Sequence, residues 1–210
     1  MKITKHPIGE AILPYISYIP DNISTKPAMI VQLHGAGERG DGDKELDLVL
    51  VNGFAKIATE ENLKDAILVM PQCSADTYWM MKIESILAFI RQMAEKYHTD
   101  PDRIYLCGIS MGGFGTWHSA VACPSLFAAI APCCGGCLAV HAGELKQLPI
   151  WAFHGLADPV IPAYHTTDMI PALKAVNPNF RCTLYDGVGH NCWDLAFTEE
   201  LLSWLLAQHK

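Results

Sequence analysis

The stretch "RIYLCGISMGGFGTWHSAVA", residues 103–122, decides the fold. "RIYLC" is rich in β-formers, "GISMGG" is a sharp glycine turn, and "FGTWHSAVA" suits a helix, so the segment predicts a strand, a tight turn and a helix in that order. Ser110 stands at the tip of the turn. With 16 Gly in 210 residues, a bare Gly-x-Ser-x-Gly match arises by chance in about one chain in twenty of this composition, so context has to decide what the serine does.

Working outward, short apolar runs alternate with helical patterns from about residue 28 to the end. "AMIVQLHG" (28–35), "AILVMP" (66–71), "RIYLCG" (103–108), "LFAAIAP" (126–132), "PIWAFHG" (149–155) and "FRCTLYDG" (180–187) are the strand candidates. Several are apolar throughout, as strands covered on both faces must be. Helix patterns fall at about 83–97, 111–122, 166–176 and 194–208, and "ILPYISYIP" predicts an edge strand or hairpin arm, its prolines tolerated at such borders. The alternation predicts an α/β fold, a mainly parallel sheet with helices on both faces, formed by 1–210 as a single domain.

A serine hydroxyl needs a base, which in a strand-turn-helix of this kind comes late in the chain, after an acid. His190, in "YDGVGHNCW", follows the last strand candidate and is the predicted base. His34 and His154 close apolar strands just before glycine, where a structural imidazole bonded to backbone is expected. Asp158, in "FHGLADPVIP", follows a strand and precedes His190, and is the predicted acid; Asp186, four residues before the histidine, is its rival. Met111 opens the helix after the serine, so its free N–H is one candidate oxyanion donor. Ala36, in "LHGAGERG" after the first buried strand, supplies the second, with Gly37 the alternative. Gln72, Trp79 and Trp193 lie in strand-end loops as candidate substrate-binding residues.

Net charge is −7 and the 15 Lys and Arg are scattered, which excludes a polyphosphate partner and hence nucleic acid. No apolar run approaches the ~18 residues of a membrane span, and no export signal is visible, so a cytoplasmic location is expected. The eight cysteines are expected to be mostly reduced and buried. "CCGGC" offers Cys134 and Cys137 at C-x-x-C spacing near His141, the basis of an alternative metal or redox reading that lacks the second pair a tetrahedral zinc wants.

With "LHGAGERG", "GISMGGFGTW", "FHGLADPVIP" and "GVGHNCW" in this order, the chain resembles the α/β-hydrolase superfamily. Within it, the chain is similar to the carboxylesterase, phospholipase and feruloyl-esterase-like group, often labelled predicted peptidases or polyhydroxybutyrate-depolymerase-like. The resemblance implies a serine hydrolase with Ser110 as nucleophile, His190 as general base and Asp158 as orienting acid. It implies a small-molecule ester substrate and neither metal nor organic cofactor, and a peptidase, thioesterase or acyltransferase would use the same residues. Related dienelactone hydrolases carry cysteine at the elbow, where this chain has serine. The 17 residues from 132 to 149 leave no room for a large lid, so an open, shallow site is expected.

Overall fold

The computed structural model describes all 210 residues. Its centre is one eight-stranded sheet: β1 (Lys2–His6), β2 (Tyr15–Ile19), β3 (Ala28–Leu33), β4 (Ala66–Pro71), β5 (Ile104–Ile109), β6 (Ala129–Cys133), β7 (Ile150–Gly155) and β8 (Phe180–Tyr185), in the order β1-β2-β4-β3-β5-β6-β7-β8. β1 and β2 form an antiparallel hairpin, β2 meets β4 antiparallel, and every later pairing is parallel. The six consecutive residues of β3, β4, β5 and β7 are all buried. Their mainly apolar character therefore follows from burial on both faces, with one core on each side of the sheet.

The helices are α1 (Glu60–Leu63), α2 (Ile83–Lys96), α3 (Met111–Ala122), α4 (Tyr164–Thr167), α5 (Ile170–Val176), α6 (Trp193–Ala196) and α7 (Glu199–Leu206). The patterns at 83–97 and 111–122 are found within one residue, whereas the other two each divide. Pro171, in the first turn of α5, lacks the N–H that would continue a helix from α4. Thr198 is extended and its side chain accepts from Leu201 N–H, so α7 starts afresh after α6.

Two strand expectations also need correction. "ILPYISYIP" supplies β2, which is the hairpin arm of the two alternatives and not the edge strand, since β2 is interior and buried at Tyr15–Tyr18. The edge is β1, whose exposed, polar "KITKH" carries no apolar signal. In "LFAAIAP" Leu126 closes a turn at Pro124–Leu126, and the strand begins at Ala129 and runs on to Cys133. The chain leaves β3 toward β4 and leaves the adjacent β5 in the opposite direction, toward β6. That reversal opens a crevice at the carboxyl ends of β3 and β5, where α/β sheets bind ligands. Gly35 and Ser110 lie there.

Candidate active site

Ser110 sits between β5 and α3 with φ 56° and ψ −114°, a left-handed conformation rare for a side chain-bearing residue. Such strain costs on the order of 1–3 kcal/mol and persists only where the surroundings impose it. Here they do. Cβ atoms at Gly108 and Gly112 would overlap the backbone of Gly112 and of Leu33 respectively, so only glycine lets β5, α3 and β3 approach this closely. Ser110 N–H donates to Cys133 O at 2.8 Å, which ties the turn to β6.

Three side chains meet at this tip from three loops. His190 Nε2 lies 2.8 Å from Ser110 Oγ, and His190 Nδ1 lies 2.7 Å from Asp158 Oδ2. A carboxylate only accepts, so Nδ1 carries the hydrogen and Nε2 presents a lone pair to the serine hydroxyl. Asp158 is fixed independently, its Oδ1 accepting from Val160 N–H at 2.8 Å and Ile161 N–H at 2.9 Å. Burial opposes the charge of Asp158, but the hydrogen bonds from His190, Ile161 and Val160 prevail and hold its pKa below the ordinary value. For His190 burial pulls the pKa down, and its partners Cys134 and Asp158 outweigh that and set it above the ordinary value. The rival Asp186 is exposed on the turn after β8 and makes no such contact.

The other strand-end histidines are structural. His34 Nδ1 bonds Gly35 O at 2.6 Å and its Nε2 accepts from Cys73 N–H at 2.9 Å; burial pushes its pKa down to about 4. His154 contacts Thr166 Oγ1 at 2.7 Å and Ile161 O at 2.9 Å, and lies 3.4 Å from the Asp158 carboxylate. It therefore backs the acid, a contact that no sequence signal announces.

Met111 is the first residue of α3 and Ala36 the first of a short 3-10 turn, Ala36–Glu38, so neither amide is used by the helix it begins. Gly35, before Ala36, comes within 3.6 Å of the Ser110 side chain at the position a Cβ would occupy. Met111 is thus next to the serine in the chain, and Ala36 follows the glycine that approaches it. Of the three predicted substrate-binding residues, Trp193 meets the site, its ring edge-on to His190 at 5.1 Å between centroids. The other two do not. Gln72 is 1% exposed and spends its amide on Gly42 N–H, Glu38 O and Glu45 O, pinning the 36–53 loop. Trp79 is fully buried and donates to His34 O at 3.0 Å, because the loop after β4 folds inward over α3.

Hollows of about 590 Å³ and 190 Å³ on the surface include none of Ser110, Asp158 and His190. The serine is 9% exposed. All eight cysteines are free thiols, five of them buried. The C-x-x-C pair does not form: Cys137 turns to Met169, Sγ to Sδ 3.2 Å, while Cys134 meets Cys133 and Cys192 instead. The other candidate ligand set, Cys134, His154 and Asp158, has its nitrogens and carboxylate oxygens already engaged. No helix is long and apolar enough to cross a membrane.

A mostly parallel sheet with a nucleophile-elbow serine, a histidine and an aspartate on successive strand-end loops defines an α/β-hydrolase-fold protein. A family model then places it further: residues 48–200 match the dienelactone hydrolase family, and the chain belongs to that family. It is 28% identical over 155 residues to a bifunctional acetylxylan esterase/xylanase of Neocallimastix patriciarum, covering 69% of this chain and 21% of that protein. It is 27% identical over 144 residues to feruloyl esterase B of Neurospora crassa, covering 63% and 47%. The chain thus spans less than half the length of either relative. Among solved structures it superposes on a thermostable esterase with TM-score 0.82 at 27% identity, covering 100% of this chain and 63% of that one. A feruloyl esterase module from Clostridium thermocellum follows with TM-score 0.76 at 18% identity, covering 99% and 88%, and shows the shared fold.

Proposed function

We propose that this chain is a serine hydrolase of carboxylic esters, working through an acyl-enzyme. Ser110 attacks the ester carbonyl while His190 Nε2 takes its proton; the carbon–oxygen bond to the alcohol breaks as His190 returns that proton to the alcohol oxygen. Water, deprotonated by the same nitrogen, then attacks the acyl carbon and releases the acid and Ser110. Asp158 keeps the proton on Nδ1 and stabilises the imidazolium, and the amides of Ala36 and Met111 hold the developing oxyanion. A donor of that kind is worth on the order of 10²–10³ in turnover.

The observation that carries this reading is the continuous hydrogen-bonded line Ser110–His190–Asp158, with the serine strained into position. The relatives named for acetylxylan and feruloyl esters favour acetyl or aromatic acyl groups on a carbohydrate alcohol. A panel of acetyl, butyryl, long-chain and feruloyl esters tests this, with acid-quenched protein analysed for an acyl group on the Ser110 peptide. Acetyl or feruloyl esters are expected to turn over fastest. Hydrolysis with no acyl group on Ser110, or none of any ester, overturns the proposal.

A further inference from the structure

Beneath the His190 loop lie three thiols that the hydrolytic chemistry does not use. Cys133 ends β6, Cys134 follows it, and Cys192 comes from the loop after β8; all three are fully buried. Cys134 and Cys192 have their sulfurs 3.2 Å apart, Cys133 and Cys192 3.4 Å, and Cys133 and Cys134 3.9 Å. Adjacent residues of a strand point to opposite faces. Both thiols converge on Cys192 here because Cys134 is turned to φ 51°, one of four residues other than glycine with positive φ, Ser110 being another. Strain of this kind gathers at functional positions. The cluster also touches both halves of the active site. Cys134 Sγ donates to His190 O at 3.2 Å, and Cys133 O receives Ser110 N–H.

We propose that Cys134 and Cys192 are a reversible oxidation site, closed to a disulfide by hydrogen peroxide admitted when the loop at 186–192 opens. Cys192 is the attacking sulfur. The Cys133 thiol and Gly155 N–H face it, contacts that lower its pKa, whereas burial raises that of Cys133. Its thiolate displaces hydroxide from the peroxide, giving a sulfenic acid; the Cys134 sulfur then attacks Cys192, the sulfur–oxygen bond breaks and water leaves. Two thiols and one peroxide become one disulfide and two waters, and an added dithiol reverses the step by exchange.

Closure draws the two sulfurs from 3.2 Å to about 2.05 Å and removes the S–H that Cys134 gives to His190 O. His190 is two residues from Cys192, and a displacement of about 1 Å at a reacting group costs on the order of 10²-fold. The effect on turnover rests on the esterase reading; the cross-link itself does not.

The full chain, reduced, desalted and treated with hydrogen peroxide, is digested without reduction and mapped by mass spectrometry, with ester hydrolysis followed in parallel. A peptide pair joining Cys134 to Cys192, with at least ~10-fold loss of hydrolysis restored by dithiothreitol, is the expected result. Cys192→Ser should keep its untreated rate in peroxide, and Cys137→Ser should respond like the wild type. The mapping on the unaltered chain stands even if a variant folds poorly. A pair joining Cys192 to Cys133, oxidation without any cross-link, or a Cys134–Cys192 link that leaves hydrolysis unchanged overturns the proposal. A chain that forms the link but never hydrolyses an ester refutes the esterase reading alone.

Discussion

The serine and the histidine of this site are held in opposite ways. Ser110 is fixed from all sides by backbone, its turn wedged between β3, α3 and β6, with glycines where any side chain would collide. His190 belongs to a half-exposed loop after β8, and β8 itself is only partly buried. That loop rests on Gly155, where a Cβ would overlap the carbonyls of Val188 and Gly189. The nucleophile is positioned by packing, and the base by a few hydrogen bonds. Packing geometry resists change until it fails altogether, whereas a hydrogen-bonded loop yields by degrees.

The largest expected effect treats the two halves as one machine. Ser110→Ala and His190→Ala should each lower turnover of an acetyl ester by about 10⁴–10⁶-fold, and the double variant should lose little more. Losses that multiply in the double variant would mean that the two side chains act independently. Circular dichroism melts should show both variants folded, because Ala at 110 removes no packing beyond one hydroxyl.

Much of this was legible in the sequence, and unevenly so across the same divide. Ser110, Asp158 and His190 follow from strand-end position and chain order, because parallel strands send their functional loops to one edge. Four of the interior strands, β3, β4, β5 and β7, read as mainly apolar runs because both of their faces are buried. What failed to show was contact between side chains distant in sequence. Gln72 and Trp79 look like loop residues at a rim, yet the loops fold inward and use their polar atoms. β1 escaped because an exposed edge strand has no reason to be apolar. The cysteine cluster escaped because it depends on the backbone turn at Cys134, and the "CCGGC" spacing pointed to Cys137 instead.

Next in size is Asp158→Asn, which attacks the hydrogen-bonded half directly. Loss of the acceptor that fixes the His190 tautomer should lower turnover by up to about 10⁴-fold with the fold retained. The pH dependence gives the sign. His190 must be neutral to take the serine proton, so kcat/KM falls as pH drops through its pKa. With that pKa raised in the intact protein, the acid limb of the profile should have its midpoint above about 6.5. In the variant the midpoint should move to lower pH; an unmoved midpoint would mean that Asp158 does not stabilise the charged imidazole.

A pair of glycine variants separates packing from backbone freedom. Gly112→Ala forces a Cβ into the Leu33 carbonyl, and should cost about 2–4 kcal/mol of stability. Gly187→Ala, in the loop at φ 68° with nothing near the added carbon, pays only for its left-handed backbone, about 1 kcal/mol. Urea unfolding measures both. Equal losses would erase the distinction between a wedged elbow and a tethered loop.

The smallest effect sharpens the same distinction on the loop itself. Trp193, the first residue of α6 after the loop, meets His190 edge-on at 5.1 Å and is the large ring that packs against the base. If hydrogen bonds to Asp158 set the position of the histidine, the ring contributes only its contact, worth about 0.5–1.5 kcal/mol for an aromatic pair. Trp193→Ala should then lower kcat/KM about 2- to 12-fold, with the acid-limb midpoint unchanged because the Asp158–His190 bond survives. A loss near that of Asp158→Asn would show that the loop, like the elbow, is positioned by packing.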